Sequence, residues 1–268
     1  MSALVFLHIP KTAGTTFHKI LTHQYHPREV VIRHDSEGPL PSDLIERMTG
    51  SNAQVKLVLG HLSARFHQVL PDVRYLVCLR DPVGRIRSHH EHAKADASHY
   101  LHEAARTMSL GDYALSGLSG ELRNGMVRML AGVEDFDQAE VDHSTLATAL
   151  EVLRTRTHGC VLTSDFDETL LSLSGRMGWK TPWYIRRKVG RGDRQPLDPG
   201  VRQVIEEVNR FDTELYRCAL ESWRAEQGTL GPGFGKEVDT FRRKNRTLGR
   251  AVFLAREACR RIGADFPA

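Results

Sequence analysis

The chain has 268 residues, a formal net charge of +4, 40% hydrophobic residues and 26% charged ones. That length supports one sizeable core, or one core with a small appendage. No run approaches the roughly 18 apolar residues of a membrane-spanning helix. The positive charge is concentrated at one end. From Lys236 onward there are nine Lys/Arg against four Asp/Glu, so the remainder is close to neutral. Aromatic residues are not interleaved with the basic ones, which argues against a nucleic-acid partner. The four cysteines are scattered without a C-x-x-C pair, so buried reduced thiols are expected rather than disulfides or a zinc site. The apolar opening Ala3–Ile9 lacks a basic flank, so no signal peptide is expected and the expected location is cytoplasmic.

Leu4–Ile9 is the first run with the character of a buried parallel strand, and a helix over Thr15–Gln24 follows it. Val30–Arg33 is a weaker strand. Val55–Leu59 and Arg74–Leu79 are stronger ones, and a helix over Arg85–Lys94 follows the latter. A helix over Leu146–Arg154 precedes a last strand, Cys160–Thr163. Alternating strands and helices predict an α/β fold: a P-loop-like three-layer α/β/α arrangement around a central, mainly parallel sheet.

Asp198-Pro199 then caps a helix whose apolar stripe runs through Val201, Val204, Ile205, Val208, Phe211, Leu215 and Ala219. Gly231-Pro232-Gly233-Phe234-Gly235 reads as a hinge. It separates a body, residues 1–230, from a basic helical extension, 231–268. Val238, Phe241, Val252 and Phe253 are the expected anchors of that extension.

Two loops carry chemistry. His8-Ile9-Pro10-Lys11-Thr12-Ala13-Gly14-Thr15-Thr16-Phe17 leads from a buried strand into a helix, where backbone N–H groups and the helix dipole favour an anion. Lys11 adds a cation, and Thr12, Thr15 and Thr16 add hydroxyls. In a Walker A loop the lysine follows the glycines; here Lys11 precedes Gly14. The second loop is Arg80-Asp81-Pro82-Val83-Gly84-Arg85-Ile86-Arg87-Ser88, which places Arg80 at a strand's carboxyl end and Ser88 two turns into a helix. Such an edge is where ligands of open α/β sheets bind.

The two loops together resemble the 5′-phosphosulfate loop and the 3′-phosphate motif of sulfotransferases that use 3′-phosphoadenosine 5′-phosphosulfate (PAPS). The wording is similar to the heparan sulfate 2-O-sulfotransferase branch and its bacterial relatives. Three further segments resemble that family: Arg123–Gly132, Thr163–Leu170 and Asn209–Tyr216. Coverage is roughly residues 3–226, and the basic extension has no counterpart.

The resemblance implies that Lys11, Thr12, Ala13, Gly14, Thr15 and Thr16 hold the 5′-phosphosulfate. It implies that Arg80 and Ser88 hold the 3′-phosphate, and that Arg186 and Arg187, with Lys188, belong to a basic loop over the nucleotide. It also implies PAPS as donor, PAP as product and no required metal. His61 follows Gly60 at the end of a strand, and an imidazole suits proton removal at neutral pH. The family places its base in a similar Gly-His pair, so His61 is the expected general base and Lys11 the stabiliser of the leaving phosphate.

His89, His90, His92, His99 and His102 read as a solvated or acceptor-lining group, and His8 as a packed strand residue. Trp179, Trp183 and Tyr184 are either pocket or core residues. The acceptor is expected to be a hydroxyl on a small molecule, lipid or glycan, and the basic tail either packs or meets a membrane surface. A nucleotide kinase and a non-catalytic PAP-binding module are the alternatives.

Overall fold

The structure, a computed structural model, describes residues 3–34, 38, 40–49, 53–185 and 196–261. Five strands form one sheet: β1 (Leu4–Leu7), β2 (Val30–Ile32), β3 (Leu57–Gly60), β4 (Arg74–Leu79) and β5 (Thr157–Leu162). All neighbours are parallel, in the order β2-β3-β1-β4-β5. β1 pairs Leu7 with Gly60 of β3 on one side and with Val77 of β4 on the other. The chain leaves β1 toward the β2 edge and leaves β4 toward the β5 edge. The crevice between adjacent strands whose connections diverge is the topological switch point, the place where such sheets bind ligands.

The helices are α1 (Gly14–Thr22), α2 (Ser42–Met48), α3 (Pro82–Ala95), α4 (His102–Thr107), α5 (Leu110–Leu115), α6 (Gly125–Ala131) and α7 (His143–Glu151). They continue with α8 (Phe166–Met177), α9 (Pro199–Val208), α10 (Arg210–Gln227), α11 (Phe234–Lys244) and α12 (Arg250–Arg261). The strand side chains alternate between two cores. Val5, Leu7, Val58 and Val77 pack with residues of α2, α6, α7 and α10. Leu4, Phe6, Leu59 and Leu76 pack with residues of α1 and α8, and with Phe241 and Phe253 of the basic extension. A third cluster joins α3, α4, α5 and α9 beside the sheet. The result is a three-layer α/β/α fold.

The helix expected to run unbroken from Asp198 breaks at Asn209, where φ is −111° and ψ is 33°. Asn209 is fully buried. Its amide donates to the carbonyls of Leu122 (3.1 Å) and Ile205 (3.2 Å), and its oxygen accepts the Asn124 N–H (2.9 Å). These partners outweigh continuation of the apolar stripe.

The extension lies on the body. Val238, Phe241 and Phe253 are buried as anchors, whereas Val252 is only half-buried. Arg242 bonds Asp167 (3.0 Å) and Glu168 (2.6 Å), and Arg260 donates to the Thr22 carbonyl (2.7 Å). Among the described residues no helix is long and apolar enough to cross a membrane.

Candidate functional site

The loop after β1 winds tightly. The His8 N–H donates to the Gly60 carbonyl (2.8 Å), which continues the β1–β3 pairing one residue further. Lys11 and Ala13 then adopt left-handed φ values of 66° and 67°. A non-glycine residue there costs of order 1–3 kcal/mol, and such strain clusters at ligand clamps. Thr12 is fully buried between them, its hydroxyl donating to the Ile9 carbonyl (2.9 Å). This corrects the expectation for Thr12: its hydroxyl braces the loop and its side chain is not on the cavity wall. Ala13 is the N-cap of α1 and has no side chain to cap it, and no acidic residue sits in the first turn. The helix end therefore offers N–H groups and a positive dipole end to an anion.

The second loop meets the first. Asp81 caps α3 by accepting the Gly84 N–H (2.8 Å), with Pro82 at the first helical position. Arg80 Nη1 donates to the Lys11 carbonyl (3.2 Å), so one guanidinium bridges the crevice between β1 and β4. Burial pulls the Arg80 pKa down from its ordinary value, opposed by Asp81 and Glu91.

Both loops open into a cavity of about 1030 Å³. Lys11, Ala13, Gly14, Thr15, Thr16, Arg80 and Ser88 all line it, and so does His61. Gly60 is required where it stands, because a Cβ on it would lie 1.7 Å from the Arg33 carbonyl oxygen. His61, exposed at the end of β3, stacks on His8 (ring centroids 4.5 Å apart, 15° between planes) and on His34 (5.6 Å, 21°). His8 is therefore a cavity residue as well as a packed one. His34 escaped the sequence reading because nothing in its local pattern marks it.

Further wall comes from the second half of α3, the turns near residues 99 and 121, and Thr163, Ser164, Phe166 and Tyr216. His89 is buried rather than solvated, held by the Tyr113 hydroxyl (2.9 Å) and the Glu121 carboxylate (2.7 Å). His99 stacks on Tyr100 and sets its ring edge-on to His89 and His92. His90 turns to the Met108 carbonyl (3.3 Å) and His102 to that of Ala93 (2.9 Å). Among the described residues no three His, Cys, Asp or Glu side chains are grouped to hold a metal ion.

Tyr184 lines the cavity and donates to Asp167 (2.6 Å). Trp179 and Trp183 pack instead against the core that covers β1 and β4, so the pocket alternative for those two is corrected. Arg186 and Arg187, with Lys188, lie outside the described residues.

Behind α3 a buried polar network fixes the site. Arg85 pairs with Asp212 (3.2 Å), both side chains fully buried. Burial pushes the Asp212 carboxyl above its ordinary value, opposed by Arg85 and by the amides of Val127 and Met126. Asn124 accepts the N–H groups of Phe211 (3.0 Å) and Asp212 (3.1 Å). The segments around Asn124 and Asn209 that resembled family motifs thus brace one another across the helices, while Tyr216 at the end of the second lines the cavity.

No protein-family model matches the chain, and no curated protein matches it in sequence.

Proposed function

We propose that this chain transfers a sulfuryl group from PAPS to an acceptor hydroxyl. The observation that carries the reading is the convergence of the Lys11 and Arg80 loops and of His61 on a single cavity at the sheet's switch point. The residues fit the donor. The uncapped end of α1 with Lys11, Thr15 and Thr16 suits a phosphosulfate, and Arg80 with Ser88 suits a second phosphate through the guanidinium's planar fork. A partly desolvated Arg80 holds an anion more strongly than one in bulk water.

When bound, PAPS supplies the activated sulfuryl group. Lys11 and the loop N–H groups offset the negative charge that develops on the departing phosphate. His61 takes the acceptor's hydroxyl proton at a ring nitrogen, and its exposure to the cavity gives it access to that proton.

The test is transfer of labelled sulfate from PAPS to extracted acceptors, run beside labelled ATP with magnesium. The reading predicts sulfate transfer, its loss in His61→Ala, and retained PAP binding in that variant. Phosphate transfer from ATP would overturn it in favour of a kinase, and PAP binding with no transfer would favour a non-catalytic module.

A further inference from the structure

His61 stands between His8 and His34 in a ring column that the fold assembles from distant segments. Phe6 and His8 stack at 5.5 Å and 21°, His8 and His61 at 4.5 Å and 15°, and His61 and His34 at 5.6 Å and 21°. The register explains the central pair. Leu7 is level with Gly60, so His8 and His61 are the next residues out on adjacent parallel strands, joined by the His8 N–H bond to Gly60. The His61 N–H in turn donates to His34 Nδ1 (3.4 Å), which leaves the proton of neutral His34 on Nε2.

Gly14 supplies the second line of argument. It is not among the glycines with positive φ, so its backbone conformation does not demand glycine. A Cβ at position 14 would instead lie 2.1 Å from His8 Cδ2 and 2.5 Å from His8 Nε2. The His8 ring is thus clamped, with Gly14 against it on one side and the His61 ring on another. His18 adds a neutral neighbour at 6.2 Å from His8.

We propose that His8 is a positioning residue for His61: clamped by Gly14, its ring holds the His61 imidazole in the plane from which it accepts the acceptor's proton. Loss of that surface removes one of the two rings stacked on the exposed imidazole and widens the range of rotamers it samples, and small misplacements of a catalytic group cost up to about 100-fold in rate. The proposal rests on the reading of His61 as general base.

The experiment joins a spectroscopic readout to kinetics. In the unliganded protein, His61 ring protons should resonate upfield because of ring currents from the stacked neighbours. His8→Ala should lose part of that shift and His8→Phe should keep it. Gly14→Ala should move the His61 resonances by displacing the His8 ring, which its Cβ would meet first. In turnover, His8→Ala should lower kcat by about 100-fold with the donor KM within about twofold of the parent. His8→Phe should recover most of the loss.

A His8→Ala enzyme with full kcat and unmoved His61 resonances would overturn the proposal. So would a His8→Phe enzyme that keeps the ring-current shift but is as slow as His8→Ala, since a ring nitrogen rather than a surface would then be required. Undiminished turnover in His61→Ala would overturn the base assignment and this proposal with it, while leaving the upfield shift of the parent in place.

Discussion

Replacing Asp212 by Asn tests whether one buried ion pair locks the helices behind the cavity. Asp212 and Arg85 approach to 3.2 Å with no exposure of either side chain. The carboxylate also accepts the N–H groups of Val127 (2.8 Å) and Met126 (3.2 Å), and Arg85 donates to the Glu121 carbonyl (2.8 Å). Asparagine has nearly the same shape and keeps an oxygen for one of the two amides, since Val127 bonds Oδ1 and Met126 bonds Oδ2. It removes the charge, however, and leaves a guanidinium uncompensated in a dry interior. Removing one partner of a buried pair costs about 3–5 kcal/mol, a large share of the roughly 5–15 kcal/mol that holds a domain together. At about 2–4 °C per kcal/mol for a chain of this size, Tm should fall by about 10 °C. Urea and thermal unfolding at pH 7 measure it. A double variant, Arg85→Met with Asp212→Leu, should recover part of the loss but not all, because the two amides lose their acceptor. A loss below about 1 kcal/mol in Asp212→Asn would refute the reasoning.

Gly60→Ala should cost about 3 kcal/mol and abolish transfer, because its Cβ meets a backbone oxygen that cannot move aside; unfolding midpoints and turnover together check this. Phe253→Ala should cost about 3–5 kcal/mol, since that ring is fully buried with Phe6 and Phe17. Arg242→Ala should cost about 1 kcal/mol because the guanidinium is partly exposed, so the pair of variants shows by urea unfolding that apolar burial rather than charge holds the extension. Burial, reinforced by Lys19, Arg260, His61 and His34, pushes His18 down from 6.5 to about 4. The unfolded chain then binds that proton more tightly, so the site's stability is present above about pH 6.5 and is lost as pH falls toward 4. The loss is roughly 2 kcal/mol after discounting for partial solvent access, and His18→Gln should flatten the profile measured by urea midpoints between pH 7 and 4.

The sheet was legible because strands buried on both faces must be continuous branched runs, and all five expected strands form. Their order followed from no local pattern; it depends on which helices cover which face. The break at Asn209 was hidden because its neighbours keep helical spacing, and two of its side chain's partners, Leu122 and Asn124, lie 87 and 85 residues away. Arg85 looked like one more motif cation, and charged residues are seldom fully buried. Only the fold brings Asp212 to it. The two loops that meet at the cavity stood out by order and composition, apart from Thr12, whose hydroxyl turns inward because the left-handed residues on either side twist the loop around it. The ring column was illegible because stacking depends on strand register, which joins His8 to His61 only once β1 and β3 are paired.

The central claim is that the two loops bind one nucleotide with two anionic ends. Calorimetric titration with PAP tests it most directly. The account predicts saturable one-to-one binding. Lys11→Ala and Arg80→Ala should each weaken it at least tenfold, about 1.4 kcal/mol or more, in folded variants, whereas His61→Ala should leave it unchanged. No heat of binding from the parent protein, or unchanged affinity in both loop variants, would contradict the account.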